Sequence, residues 1–224
     1  MNFVEYPDRD LMMITLANKL AGELNSHVQR HDEATLAVPG GTTPGPVFDA
    51  LCAADLDWSQ VRVMLTDERW VPEESERSNT RLIRERLLVE RAAAAKYVPL
   101  YAEAEEPETV LDELSERVKE VLPITVLLLG MGDDMHTASL FPYAVGLEDA
   151  LADNAPPLLP VRSKDQPEPR ITLTKPVLRG AMNTHILITG PKKREALERA
   201  RKEGDPVKAP VISVLGDATV HWAE

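Results

Sequence analysis

The chain has 224 residues, 43% apolar and 28% charged, with a formal net charge of −12. That length and apolar share suit one large α/β domain or two small ones around a substantial core, and the acidic balance argues against non-specific nucleic-acid binding, which relies on basic surface. No stretch approaches the roughly 20 apolar residues of a membrane span, the first residues lack the basic-then-apolar order of a signal peptide, and the single Cys52 excludes an internal disulfide framework, so a cytoplasmic protein with no membrane or nucleic-acid partner is expected.

In chain order, residues 6–30 read as a helix capped by Asp8 or Asp10, with Leu11, Ile14, Leu20 and Leu24 near helical spacing. Residues 34–38 are a short strand running into Pro39-Gly40-Gly41-Thr42-Thr43-Pro44-Gly45-Pro46 and a helix to about residue 53, where Cys52 lies on an apolar face and reads as core. Strand 61–65 is followed by Thr66-Asp67-Glu68-Arg69-Trp70, a polar loop to Ser78 and a helix over 79–89. Residues 97–100 are a short strand, 108–122 an acidic amphipathic helix, and the apolar run 124–129 a buried strand. Residues 158–161 and 170–173 are extended, and the proline-containing stretch 154–169 is a surface loop or a connection between lobes. Residues 185–189 form another buried strand ending at Gly190, and 192–202 a helix; a short apolar segment at 211–215 precedes the tail. Strands alternating with helices imply an α/β fold: a three-layer, open, mostly parallel sheet flanked by helices, with room for a small second lobe.

Chemistry-bearing side chains gather where strands end. In open α/β sheets ligands bind outside the carboxyl ends of the strands. His136 follows the 124–129 strand within Gly130-Met131-Gly132-Asp133-Asp134-Met135-His136-Thr137-Ala138-Ser139. An imidazole titrates near neutrality and suits proton transfer. Asp133 or Asp134 can orient it, and Asp134 joins His136 among the catalytic candidates. Ser139 reads as a loop hydrogen-bonder rather than a nucleophile, since no Gly-x-Ser-x-Gly elbow is present.

Gly40, Gly41, Thr42 and Thr43 form a strand-to-helix turn. Thr43 as N-cap and Pro44 as first helical residue would aim free amides and the positive helix end at an anion; a capped turn without a ligand has the same sequence. Arg69 can grip a phosphate or carboxylate with two parallel hydrogen bonds, and Asp67 can accept from a sugar hydroxyl; an internal ion pair ordering the loop is the alternative. Lys192 or Lys193 stands at the next strand end, with Arg170 a weaker candidate of the same kind. No Cys cluster or metal-ligand spacing accompanies His136, so no metal is expected.

Four motifs in this order, Gly40-Gly41-Thr42-Thr43-Pro44, Asp67-Glu68-Arg69-Trp70-Val71-Pro72 with Ser78-Asn79, Gly130 through Pro142, and Arg170-Ile171-Thr172-Leu173-Thr174, resemble the 6-phosphogluconolactonase family over nearly the whole chain. The resemblance implies a single domain over residues 1–224 and a fold shared with glucosamine-6-phosphate isomerases. It also implies hydrolysis of 6-phospho-D-glucono-1,5-lactone to 6-phosphogluconate in the oxidative pentose phosphate pathway, with no metal or organic cofactor. The partner would be a small phosphorylated sugar lactone, and the protein a monomer or small homo-oligomer. His136 matches the family's catalytic base, Arg69 and Lys193 its basic residues near phosphate, and the 40–43 loop its substrate-binding loop.

This chain departs from the family pattern at Met135, where a glycine usually precedes the histidine, and at Asp133-Asp134, where Pro-Asp is usual. It departs again at Tyr143, where a glycine commonly follows Phe-Pro. A positive φ at residue 135 would strain methionine. Two rival readings are a glucosamine-6-phosphate deaminase or isomerase, whose histidine precedes an Ile-Ala-Phe-Asn-Glu-Pro segment with an acid this chain lacks, and a non-catalytic sugar-phosphate sensor.

Overall fold

The computed structural model describes residues 1–224. Along the chain run β1 (Asn2–Glu5), α1 (Arg9–Val28), β2 (Ala34–Val38), α2 (Gly45–Leu51), β3 (Val61–Leu65), β4 (Asp67–Arg69), α3 (Asn79–Arg86), β5 (Lys96–Val98) and α4 (Leu111–Lys119). Then come β6 (Val126–Gly130), α5 (Leu147–Leu151), β7 (Leu158–Val161), β8 (Arg170–Leu173), α6 (Lys175–Arg179), β9 (Asn183–Thr189), α7 (Gly190–Glu203) and β10 (Thr219–Ala223). Seven strands make one sheet in the order β1-β10-β9-β6-β2-β3-β5, every neighbouring pair parallel. A second, antiparallel sheet has the order β4-β8-β7.

The central strands are covered on both faces, and their sequences follow from that. All five residues of β2 are buried, as are Val126 to Leu129 in β6; continuous apolar runs are what doubly covered parallel strands require. Leu158, Ile171 and Leu173 of the small sheet belong to the same hydrophobic cluster as Leu36, Leu127 and Ile186 of the large one.

Strand order places the ligand crevice. From β2 the chain winds outward through β3 to β5; it then returns to β6, beside β2, and winds the other way through β9 and β10. The loops after β2 and β6 therefore leave in opposite directions, and the gap between them is the topological switch point where such sheets bind ligands. These are the 40–43 and 131–139 loops.

Several expectations need correction. Residues 67–69 are not loop but β4, paired with β8 in the register Asp67↔Thr172, Glu68↔Ile171 and Arg69↔Arg170. Edge strand β1 and tail strand β10 are additional to the strands expected. Helix α1 starts at Arg9, with Asp8 as its cap: the side chain accepts from Leu11 N at 2.7 Å. Leu11 and Ile14 face solvent, while Met12, Met13, Leu16, Ala17, Leu20 and Leu24 face the core. Thr43 is not the cap of α2: Pro44 holds that position without a side-chain hydrogen bond, and the helix begins at Gly45. The 108–122 segment divides into a 3-10 turn (Pro107–Val110) and α4.

Candidate active site

His136 lies in the loop after β6. Its Nδ1 stands 2.6 Å from Asp134 Oδ1, and its backbone N–H donates to the same oxygen at 3.2 Å. Burial raises the Asp134 carboxyl, but the hydrogen bond and charge of His136 outweigh it, leaving Asp134 below its ordinary value. An ionised Asp134 fixes the proton on Nδ1 and leaves Nε2 as the free acceptor. The loop closes tightly around this pair. A Cβ on Gly132 would lie 2.1 Å from His136 Nδ1 and 2.3 Å from Asp134 Oδ1, so only glycine fits. Met135 (φ 70°), Ala138 (φ 49°) and Tyr143 (φ 59°) all adopt left-handed backbone, two of them where glycine is usual in the family pattern.

The loop is fastened on its far side to the small sheet. Ser139 Oγ donates to Asp67 Oδ2 at 2.6 Å, and Ser139 N donates to Thr172 Oγ1 at 3.3 Å. Thr66 Oγ1 donates to the other Asp67 oxygen at 2.9 Å. Ser139 thus ties the loop to the small sheet, its hydroxyl proton directed at a carboxylate rather than at an imidazole.

A cavity of about 250 Å³ opens in front of His136, walled by Gly40, Gly41, Asp67, Arg69, Asn79, Ala138, Phe141, Gln166 and Arg170. Phe141 lies against the imidazole, with ring centroids 4.6 Å apart, and the Arg170 guanidinium stacks over the same ring at 5.6 Å. Arg69 Nη1 donates to Asn79 Oδ1 at 2.7 Å and to the Arg77 carbonyl at 2.8 Å. Gly40 approaches Asn79 so closely that a Cβ there would meet Asn79 Oδ1 at 2.0 Å. Arg170 donates to Gln166 Oε1 and lies 3.9 Å from Asp67. Burial pulls its guanidinium below the ordinary value, opposed by the charges of Asp67 and Glu168.

Beneath Arg69, the buried Glu68 carboxylate accepts from Asn79 N (2.8 Å), Thr80 N (2.7 Å) and Thr80 Oγ1 (2.7 Å), where α3 presents free amides. Burial nevertheless pushes its carboxyl up.

Of the sequence candidates, the structure therefore brings Gly40, Gly41, Asp67, Arg69, His136 and Arg170 onto one cavity wall, with Asp134 behind His136. Thr42 and Thr43 are exposed on the turn. Lys193 is not on that wall. It pairs with Asp133 at 3.2 Å and lines, with Thr43, a separate cavity of about 80 Å³. Sequence reasoning missed Phe141 and Gln166 as wall residues, and Asn79 as the group that aims Arg69. A side-chain amide directly after the Ser78 cap of α3 was the available signal for Asn79. No three His, Cys, Asp or Glu side chains converge as metal ligands, and no helix is long and apolar enough to cross a membrane.

Fold and site together describe a sugar-phosphate enzyme of the α/β class, and the chain belongs to the glucosamine-6-phosphate isomerase/6-phosphogluconolactonase family, whose model matches residues 7–222. Within that family its relatives include the 6-phosphogluconolactonase of Rhizobium meliloti, 39% identical over 93% of this chain and 92% of that protein. The Pseudomonas aeruginosa 6-phosphogluconolactonase is 40% identical over 92% of this chain and 88% of that protein. A crystal structure of a 6-phosphogluconolactonase from Shewanella baltica superposes with a TM-score of 0.97 at 32% identity, covering 100% of this chain and 98% of the other.

Proposed function

We propose that this chain hydrolyses 6-phospho-D-glucono-1,5-lactone to 6-phosphogluconate, acting as one functional unit over its length, in the cytoplasm and without a metal. The observation that carries the reading is the placement of His136, backed by Asp134, and two arginines, Arg69 and Arg170, on one cavity wall, in a chain whose curated relatives bear that activity's name.

His136 Nε2 takes a proton from water as the oxygen attacks the lactone carbonyl. General-base help of this kind contributes roughly 10²–10⁴ in rate. Negative charge grows on the carbonyl oxygen and calls for donors already in place, a part suited to backbone amides of the bordering loops. The imidazolium then returns its proton to the ring oxygen as the ester bond breaks, and Asp134 stabilises the cation meanwhile. The phosphate is remote from the reacting bond; held by the arginine side of the cavity, it orients the ring. The deaminase reading is disfavoured because the position that carries the acid of that pattern is Phe141 here, on the cavity wall beside His136, and a phenyl ring cannot assist ring opening as a carboxylate does.

The test is turnover of freshly generated lactone with spontaneous opening subtracted. Wild-type protein should hydrolyse it well above background, a folded His136→Ala variant should lose kcat, and Arg69→Ala should mainly raise KM. Wild-type rates at background would overturn the activity; the reverse kcat and KM pattern would overturn the roles.

A further inference from the structure

In the β4–β8 pair Arg69 stands directly opposite Arg170. Like charges facing each other across a strand pair are destabilising, and Arg77 brings a third cation close. Asp67 reaches Arg170 alone, at 3.9 Å, whereas one carboxylate reaches all three. Glu168 Oε1 lies 2.7 Å from Arg77 Nη2, 3.8 Å from Arg69 Nε and 3.9 Å from Arg170 Nε. Both of those Nε groups are buried and have no hydrogen-bond partner. Glu168 is itself only 12% exposed, and it does not line the cavity that the two arginines face.

We infer that Glu168 is a built-in counter-anion: it offsets the arginine pair in the empty site and sets how tightly that site holds a phosphate monoester dianion. The inference rests on the functional reading above, and it adds the residue that limits substrate and product affinity.

Neutral acceptors fix the orientation of both guanidiniums. Arg69 is held by Asn79 Oδ1 and the Arg77 carbonyl, and Arg170 by Gln166 Oε1 and the Phe141 ring. What Glu168 adds is therefore charge more than geometry. An arriving dianion meets a pair whose field is already partly cancelled, so binding is weaker than three arginines alone would give. For a turnover enzyme that limit is useful, because the product keeps the same phosphate and must leave. Glu168 is thus a positioning residue in the electrostatic sense, acting on the ligand only through Arg69 and Arg170.

The experiment measures the Kd of inorganic phosphate by calorimetry for the full chain, wild type beside Glu168→Gln and Glu168→Asp, at low and high salt. Removing the charge should tighten phosphate binding on the order of tenfold at low salt, with the gain shrinking as screening rises. Glu168→Asp, which keeps the charge, should stay close to wild type. In lactone turnover, Glu168→Gln should lower KM without raising kcat. Its melting temperature should fall without phosphate and recover more than the wild type's when phosphate is added. A merely structural role predicts weaker phosphate binding in both variants, and that result overturns the proposal. Equal Kd in all three proteins, or no phosphate binding by any of them, overturns it too. Because the phosphate titration needs no turnover, its failure is separable from failure of the lactonase reading, which the activity of the wild-type chain decides.

Discussion

Replacing Asp134 with Asn isolates the contribution of the carboxylate to His136. The change keeps size and one carbonyl oxygen but removes the charge that fixes the imidazole proton on Nδ1. Asp134 Oδ1 sits 2.6 Å from Nδ1, with 52% of the aspartate side chain exposed. At such a half-solvated position an effective dielectric of about 40 and a charge separation of about 4 Å give roughly 2 kcal/mol of imidazolium stabilisation. That energy acts in the transition state, where the proton sits on His136, and corresponds to a loss of about 30-fold in kcat. Phosphate-side contacts are untouched, so KM should move less than threefold or so. Asn can also present its amide N–H to Nδ1 and favour the wrong tautomer, which would enlarge the loss but not reverse it. The assay is steady-state lactone hydrolysis across pH 6–8, with circular dichroism to show that the variant folds. If a folded Asp134→Asn enzyme kept kcat within twofold of wild type, the carboxylate would neither orient nor stabilise the imidazole, and the account of the pair would fail.

Three further predictions concern stability. Burial, with His185 and Lys19 nearby, lowers the pKa of His221 from 6.5 to about 4, Glu23 opposing. The unfolded chain therefore binds a proton that the folded chain refuses; this contribution is whole above pH 6.5 and is lost as pH falls toward 4, a change of about 3 kcal/mol. Urea melts at several pH values should show that slope in wild type, and His221→Gln should flatten it; an unchanged slope would refute the assignment. Tyr143 is 71% exposed and holds φ 59°. Tyr143→Gly should relieve about 1 kcal/mol of left-handed strain against about 0.5 kcal/mol of added chain entropy. A melting temperature raised by 1–2 °C or so is expected, and a fall would mean the tyrosine makes a contact worth more than its strain. Met135→Gly should gain less, since the half-buried methionine also packs against the core.

The strands that build the centre of the sheet were legible because burial on both faces forces mostly apolar runs, as in β6 and, with Thr35 its one polar residue, in β2. Strand β4 was not, and for a physical reason. Its three residues, Asp67, Glu68 and Arg69, are all charged, and each serves the site: Asp67 anchors Ser139, Glu68 satisfies the first turn of α3, and Arg69 faces the cavity. Hydropathy cannot reveal a strand whose side chains are chosen for chemistry, and only pairing with β8 defines it. Helix α1 was legible in extent but not in facing, because Leu11 and Ile14 are apolar residues left in solvent. His136 stood out through its place after an apolar strand. Phe141 and Gln166 did not, since their roles depend on which loops the strand order brings together. Lys193 fits a sequence motif, yet the fold pairs it with Asp133 behind the His136 loop.

An acidic protein that binds an anion must concentrate its positive charge locally, and this chain, at net charge −12, gathers Arg69, Arg77 and Arg170 around Glu168. Screening in ordinary buffer confines surface charges to about 8–10 Å, so the distant carboxylates that set the net charge matter little within the cavity. The nearby groups decide: Arg69, Arg77 and Arg170 on one side, Glu168 and Asp67 on the other. Burial strengthens those short interactions while the remote ones stay weak. The small antiparallel sheet carries Arg69 and Arg170 beside the large parallel one. The parallel sheet supplies the switch point and the His136 loop, but none of its strands ends on a basic residue. The antiparallel register sets two guanidiniums face to face, an arrangement that costs stability until an anion, internal or bound, sits near them. Under the proposed function the site divides its labour: the parallel sheet places the proton-transfer group, and the small sheet places the charge that holds the substrate in front of it.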